Sequence, residues 1–157
     1  YISHRRERLA EITAALAAPA AAGISVTQRG VSSSIAITTA RGNPERLLQL
    51  ARASDTLVVL MARAELAETA RVLATALGGS RPAALISNAT MPGQRSVTGP
   101  LDRIARLADE AGIEAPATLV VGDVVPATSI VIDSFRHNSK PGGHSQTAPS
   151  IAVAQPG

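Results

Sequence analysis

Short runs of apolar, β-branched residues alternate with helical stretches along most of this chain, and this alternation constrains its fold more than any other feature. The run at 56–61 (TLVVLM) is continuously apolar, as expected for a strand covered on both faces. A helical stripe follows over 64–77, and Gly78 with Gly79 ends it. Strands and helices that alternate at this spacing predict an α/β domain with a mostly parallel or mixed sheet.

The remaining segments extend the same pattern. Residues 7–22 are predicted to be helical up to the turn at Gly23, and Asn43 followed by Pro44 predicts the start of another helix. Further strands are predicted at 34–39, 83–87, 94–98 and 118–125, with 94–98 the more exposed one, and a further helix at 101–111. The prediction is therefore a sheet of about five strands with flanking helices.

The pattern stops after Val125. Residues 137–157 are rich in Ser, Pro, Gly, Gln and Thr, which is typical of disordered segments. We therefore expect one α/β domain over 9–125, an unmatched segment over 1–8 and a disordered tail over 126–157. No apolar run approaches the ~20 residues of a membrane span, and the first residues have no apolar signal core, so we expect a cytoplasmic protein that does not enter a membrane.

Few side chains in this chain are suited to proton transfer or metal binding. There is no cysteine, and His4, His137 and His144 lie near the two ends without metal-ligand spacing. No nucleophile elbow and no glycine-rich phosphate loop is present. We therefore predict no catalytic residue and no metal ligand. Whether Asp123 and the turn Ser32–Ser34 line a cleft is left open.

The charge pattern does not indicate a nucleic-acid-binding surface. The net charge is +3, from 15 basic and 12 acidic side chains, and the one basic cluster lies at 4–8. Tyr1 and Phe135 are the only aromatic residues, so bases would find few side chains on which to stack. We expect no nucleic-acid partner.

Four stretches carry a resemblance to a known family. They are Ile12–Gly30 (ITAALAAPAAAGISVTQRG), Leu57–Met61 (LVVLM), Ala84–Gly99 (ALISNATMPGQRSVTG) and Ala115–Val125 (APATLVVGDVV). In this order they resemble the C-terminal part of the tetrapyrrole (corrin/porphyrin) methylases, and most of all the members that methylate uroporphyrinogen III. The resemblance implies the C-terminal α/β domain of that fold, with the family's N-terminal domain absent.

The resemblance also implies a cofactor site. Members of the family hold S-adenosyl-L-methionine between two α/β domains, and their cofactor contacts fall here on Thr13, Ala14, Met61, Ala89 and Ala117. Small residues at three of these positions let a ligand approach the backbone. On the residues alone, Met61 could equally fill the core; the resemblance favours a place in the pocket.

The activity implied is S-adenosylmethionine-dependent C-methylation of uroporphyrinogen III at carbons 2 and 7. The product, precorrin-2, leads to sirohaem and cobalamin. The substrate carries eight carboxylates, which Arg29 could bind bidentately, although a solvated surface arginine is the equal alternative. The resemblance further implies a homodimer when the enzyme is complete.

Several departures from the family favour a fragment that needs the missing N-terminal domain for activity. Residues 1–11 do not resemble the family, Gln28 replaces its usual histidine, and Ala40 with Arg41 replaces a glycine and a histidine. A non-catalytic remnant or dimerisation module is therefore an alternative, as is a precorrin methylase of the same family. A same-fold methylase acting on rRNA is disfavoured by the scarcity of aromatic residues.

Overall fold

A computed structural model of the chain describes residues 14–126, 130–133 and 151–153. Residues 14–21 are helical and are named α1 here. The other elements, in chain order, are β1 (Ile35–Thr39), α2 (Pro44–Ala53), β2 (Thr56–Leu60), α3 (Leu66–Leu77), β3 (Pro82–Ser87), β4 (Arg95–Pro100), α4 (Ile104–Glu110), β5 (Ala117–Val121), β6 (Ile130–Asp133) and β7 (Ile151–Val153). The predicted alternation of strands and helices is confirmed.

The strands form one mixed sheet. Within the described residues it has seven strands in the order β1-β2-β5-β3-β4-β6-β7. Strand β1 pairs with β2 in parallel, and the other neighbours pair antiparallel. Because β5 lies between β2 and β3 and is antiparallel to both, β2 and β3 run in the same direction and end at the same edge of the sheet.

Local sequence signals explain where the helices begin and end. The Asn43 side-chain oxygen accepts a hydrogen bond from the Glu45 N–H at 2.8 Å, and Pro44 occupies the first turn of α2, as predicted. Helix α3 ends at Gly78, whose φ of +86° suits a residue without a Cβ atom. Its N–H donates to the carbonyl oxygen of Ala74 at 2.9 Å.

Both faces of the sheet are buried, which accounts for the continuous apolar character of β2. One face carries Leu57, Leu85 and Leu119 and is covered by α2, α3 and α4; we call this packing the first core. The opposite face carries Val58, Ile86 and Val120 and is covered by residues of α1 together with Ile24 and Val125, which form the second core.

Two predictions about the strands were wrong in part. The strand predicted at 94–98 lies at 95–100, and its residues 96–99 are buried rather than exposed, because β6 pairs along its outer side and α4 packs on it. Strands β6 and β7 fall within 126–157, where we expected disorder. Their isoleucines and valines supply the β-branched residues that strands favour. The limits proposed for the domain itself remain a prediction.

Among the described residues, no helix combines the length and the apolar composition that crossing a bilayer requires.

Candidate functional site

The ends of β2 and β3 meet the start of β5 at one edge of the sheet. The register of β5 with β3 places Ala117 opposite Ser87, and Met61 is the first residue after the end of β2 at Leu60. The Ala62 N–H donates to the Ala117 carbonyl oxygen at 3.0 Å, and the Asn88 N–H donates to the Pro116 carbonyl oxygen at 3.3 Å. The connection that leaves β2 is thus bonded to Ala117, and the connection that leaves β3 is bonded to its neighbour Pro116.

This edge also concentrates unusual backbone conformations. Met61, Asn88 and Thr90 have φ values of +54°, +47° and +67°, and they are the left-handed residues other than glycine in the part of the chain that the structure describes. Such a conformation costs roughly 1–2 kcal/mol for a residue with a Cβ atom, and such residues cluster at binding and catalytic sites. The convergence at this edge is therefore a candidate ligand site.

Met61 lies in the open at this edge. It follows a strand in which all five residues are buried, yet 45% of its surface is exposed. The alternative that Met61 fills the core is therefore wrong. Its polarisable thioether instead lies at the surface, where a ligand can contact it.

Two of the three predicted alanines, Ala89 and Ala117, lie at this edge, and the third, Ala14, lies on α1. Ala14 on α1 and Ala89 after β3 are partly buried and both pack against the second core. Ala117 is buried in the first core together with Ala62, so it meets the edge with its main chain. The structure therefore places Met61, Ala89 and Ala117 at one edge of the sheet. It places Ala14 on α1, which packs against the second core as Ala89 does. Thr13 lies outside the described residues.

Arg29 lies in an exposed turn elsewhere. The Gln28 N–H donates to the Ser32 carbonyl oxygen at 2.9 Å, closing the turn that carries Arg29. The Ser32 hydroxyl is 2.8 Å from the Thr56 hydroxyl, which anchors this turn beside the start of β2. Met61 follows the opposite end of β2, so the structure does not bring Arg29 to the cluster at the candidate site.

The serines after this turn have a structural role. One carboxylate oxygen of Asp55 accepts hydrogen bonds from the backbone N–H groups and hydroxyls of both Ser33 and Ser34, at 2.8–3.2 Å. The Ser33 N–H, followed by the two hydroxyls, holds the pKa of Asp55 below its usual value. The possibility that these serines line a pocket is therefore not supported.

Asp123 does not point into a cleft. Its carboxylate is 3.3 Å from the Arg81 guanidinium and more than half of its side chain is exposed. It follows Gly122, whose N–H bonds the Pro82 carbonyl oxygen at the start of β3, so it lies at the edge opposite the candidate site.

A cleft of about 430 Å³ opens between the β1–α2 turn and helix α3. Arg41 and Glu65 bring charges to its lining, and Leu47 and Val72 bring apolar surface. The cleft lies on the face covered by α2 and α3, whereas Ala14 and Ala89 pack on the other face. It is separate from the predicted ligand contacts.

Sequence reasoning missed Gln94, which is 2% exposed beside the candidate site. Its side-chain oxygen accepts from the Thr90 N–H at 2.7 Å, and its side-chain nitrogen donates to the Ala21 carbonyl oxygen at 3.1 Å. The local signal was a long polar side chain between Gly93 and the start of a strand. Its partners could not be inferred, because Ala21 is far away in the sequence.

The described residues contain no group of three or more His, Asp or Glu side chains that could hold a metal ion. The histidines at 4, 137 and 144 lie outside those residues.

Comparison with known proteins identifies the family. Residues 7–105 match the profile of the Tetrapyrrole (Corrin/Porphyrin) Methylases, and this chain belongs to that family. It aligns with the Uroporphyrinogen-III C-methyltransferase of Pseudomonas aeruginosa at 40% identity. The alignment covers 72% of this chain and 48% of that protein. It also aligns with the S-adenosyl-L-methionine-dependent uroporphyrinogen III methyltransferase of Methanosarcina barkeri at 38% identity. That alignment covers 73% of this chain and 48% of the relative.

A solved structure gives the same relationship. The uroporphyrin-III C-methyl transferase of Thermus thermophilus, complexed with S-adenyl homocysteine, superposes with a TM-score of 0.57 at 28% identity. The match covers 66% of this chain and 48% of that one. The predicted family and the α/β fold class are confirmed, and the chain spans about half the length of these three relatives.

Proposed function

We propose that this chain forms one wall of an S-adenosyl-L-methionine site and takes part in the C-methylation of uroporphyrinogen III to precorrin-2, together with the family's N-terminal domain. The observation that carries the proposal is the convergence of Met61, Asn88–Ala89 and Ala117 at one sheet edge, with left-handed backbone at Met61 and Asn88. The relatives from Pseudomonas aeruginosa and Methanosarcina barkeri bear the names of uroporphyrinogen III methyltransferases.

The residues at this edge fit an adenosyl ligand. The exposed thioether of Met61 offers a polarisable contact for a flat ring or a sulfonium, and Ala89 leaves room for a ligand to approach the backbone. The hydrogen bonds from Ala62 and Asn88 to residues 116–117 hold both loops in place before a ligand binds. This half of the site therefore positions the cofactor rather than reacting with it.

The cofactor, when bound, supplies an electrophilic methyl group on a sulfonium. For such a displacement, alignment of the methyl donor with the carbon nucleophile provides much of the rate enhancement, and no titratable side chain of this half has a catalytic role in the proposal. Arg29 is exposed in its turn beside the start of β2, at the end of that strand away from Met61, so in the proposal it would pair only with a carboxylate at the far periphery of the macrocycle. A precorrin as the tetrapyrrole is the alternative substrate.

The proposal places the complete enzyme in the cytoplasm, as a homodimer, without a nucleic-acid or membrane partner. A second candidate function, a non-catalytic module that associates with another copy, is favoured by one observation. Strand β1 is an edge of the sheet formed by the described strands, and it carries Ile37 with 46% of its surface exposed. An apolar residue exposed on an edge strand favours strand pairing with another chain.

Calorimetric titration of the purified chain with S-adenosylhomocysteine tests the proposal. We expect weak binding, with a dissociation constant in the high micromolar range, and no methylation of uroporphyrinogen III by the chain alone. The Ala89→Phe variant should lose the binding signal, whereas Ala67→Phe, on the exposed side of α3, should keep it. If the wild-type chain gives no binding heat with S-adenosylhomocysteine at high micromolar concentration, the proposed cofactor site is wrong and the non-catalytic module is favoured.

A further inference from the structure

The loop between β3 and β4, residues 88–94, is folded around the side chain of its last residue. Gln94 is almost completely buried, and its side-chain oxygen accepts the Thr90 N–H at 2.7 Å. The Met91 N–H donates to the Asn88 carbonyl oxygen at 3.0 Å, and the Gln94 N–H donates to the Met91 carbonyl oxygen at 3.1 Å. The side chain thus closes the loop on the inside.

Thr90 is the residue that most needs this support. It has a φ of +67°, and a β-branched residue in the left-handed region is strained. The bond from its N–H to Gln94 offsets part of that strain. Because Ala89 lies between Asn88 and Thr90, the same bond fixes the backbone at Ala89.

The other end of the Gln94 amide reaches a different element. Its nitrogen donates to the Ala21 carbonyl oxygen at 3.1 Å, at the end of α1. This helix carries Ala14, and the loop carries Ala89, and both alanines pack against the second core. One buried amide therefore joins the two segments of this face on which cofactor contacts are proposed.

We propose that Gln94 is a positioning residue, which holds the 88–90 loop against α1 in the geometry that the cofactor meets. The proposal rests on the proposed function for its ligand, but the hydrogen bonds of Gln94 to Thr90 and Ala21 are present in the protein without a ligand. A glutamine is suited to the role because a single planar group supplies both an acceptor for Thr90 and a donor for Ala21. A buried amide that loses either of its hydrogen-bond partners is costly to the folded state.

Two substitutions separate the donor and acceptor roles. Gln94→Met keeps the length of the side chain and removes the hydrogen bonds to Thr90 and Ala21. Gln94→Glu keeps the acceptor for Thr90 but sets a carboxylate against the Ala21 carbonyl oxygen, and burial raises the pKa of such a carboxyl. Once protonated, the glutamic acid has an O–H that donates to Ala21 and an oxygen that accepts from Thr90, so the native pair of bonds returns. The neighbouring charged residue, Arg95, reaches the Gly112 carbonyl oxygen at 3.5 Å on the other face of the sheet.

The first experiment needs no ligand. Hydrogen exchange of the full chain should show the Thr90 amide protected in the wild type and exchanging about tenfold faster in Gln94→Met, the loss expected for one buried hydrogen bond. The melting temperature of Gln94→Glu should lie below that of the wild type at pH 7, and the gap should close as the pH falls toward the ~4.3 of a free glutamate. Equal Thr90 exchange in wild type and Gln94→Met, or a gap that does not change with pH, would overturn the proposal.

The second experiment measures the dissociation constant for S-adenosylhomocysteine. We expect it to rise about tenfold in Gln94→Met and in Gln94→Glu at pH 7, with rescue of Gln94→Glu at low pH. Thr56→Val is the matched control, because it removes a buried side-chain hydrogen bond at the opposite edge of the sheet and should leave the affinity unchanged. Unaltered affinity in Gln94→Met overturns the positioning role while the proposed function stands. If the wild type does not bind, the proposed function fails, and the exchange result still decides whether Gln94 holds the loop.

Discussion

The backbone N–H of Ala62 donates a hydrogen bond to the carbonyl oxygen of Ala117, with 3.0 Å between the two atoms. Ala62 follows the end of β2 and Ala117 begins β5, so this bond continues the strand pairing past the left-handed residue Met61. The chain therefore turns sharply at Met61 without losing contact with β5. As a result, Met61 is displayed at the sheet edge while both of its neighbours stay buried.

Met61→Gly should stabilise the fold and weaken ligand binding. Glycine adopts a φ of +54° without strain, and Met61 is not among the residues that pack against either core, so the free energy of unfolding should rise by up to about 1 kcal/mol. Loss of the thioether should weaken binding of S-adenosylhomocysteine about fivefold. Urea unfolding and calorimetry measure the two effects.

Met91→Gly is the control for this substitution. Met91 is also exposed, but its backbone is not among the left-handed residues, so glycine relieves no strain there. We expect Met91→Gly to leave the free energy of unfolding unchanged or to lower it. Equal stabilisation by both variants would show that backbone strain at Met61 is not the cause.

Leu119→Ala should be strongly destabilising, because β5 is central to the sheet and Leu119 is fully buried in the first core. The cavity and the lost transfer free energy should lower the free energy of unfolding by about 2–5 kcal/mol in urea denaturation. Leu16→Ala, at a half-exposed position of α1, should cost less than about 1 kcal/mol. Similar losses for the two variants would contradict the assignment of the core.

The strands and helices could be predicted because their signals are local. The apolar run of β2 and the Asn43–Pro44 pair at α2 each specify an element within a few residues. The order of the strands could not be predicted. Strand β5 inserts between β2 and β3, and this pairing depends on contacts between residues far apart in the sequence.

The site was predicted only in part for the same reason. The positions of Met61, Ala89 and Ala117 came from the resemblance to the family, and the structure places them at one edge. The left-handed backbone at Met61 has no sequence signal, because neither methionine nor the alanine that follows favours that conformation. Gln94 was missed because its two bonds join segments that the sequence separates.

Ser34→Ala should reduce stability in a way that depends on pH. The hydroxyl of Ser34 donates to the Asp55 carboxylate at 3.1 Å and accepts the Asp55 N–H at 2.9 Å. Hydrogen bonds from Ser33 and Ser34 lower the pKa of Asp55, so the stability they confer is present above the unfolded pKa of about 3.8 and is lost as the pH falls through the folded value. The gap in melting temperature between wild type and variant should therefore narrow below about pH 4.

Ser25→Ala is the control for the titration of Asp55. Its hydroxyl bonds the Thr27 carbonyl oxygen at 2.6 Å, which has no charge to titrate. The gap between Ser25→Ala and the wild type should not change with pH. A Ser34→Ala gap that stays constant from pH 7 to pH 3 would contradict the role assigned to Asp55.

Gly122→Ala should be among the most damaging small substitutions in the chain. A Cβ atom at Gly122 would lie 2.8 Å from the Asp55 carbonyl oxygen and 3.3 Å from the Thr56 Cα atom, and the φ of +153° adds backbone strain. Backbone atoms cannot move aside cheaply, so we expect a loss of about 3 kcal/mol or more in the free energy of unfolding.

Gly30→Ala separates the steric clash from the backbone strain, because Gly30 has a φ of +79° and nothing within 4 Å of the added atom. Its loss should be only about 1 kcal/mol, from backbone strain alone. Urea denaturation of both variants measures the two losses. Equal losses would mean that the contact between an added Cβ atom at residue 122 and the Asp55 carbonyl oxygen does not destabilise the fold.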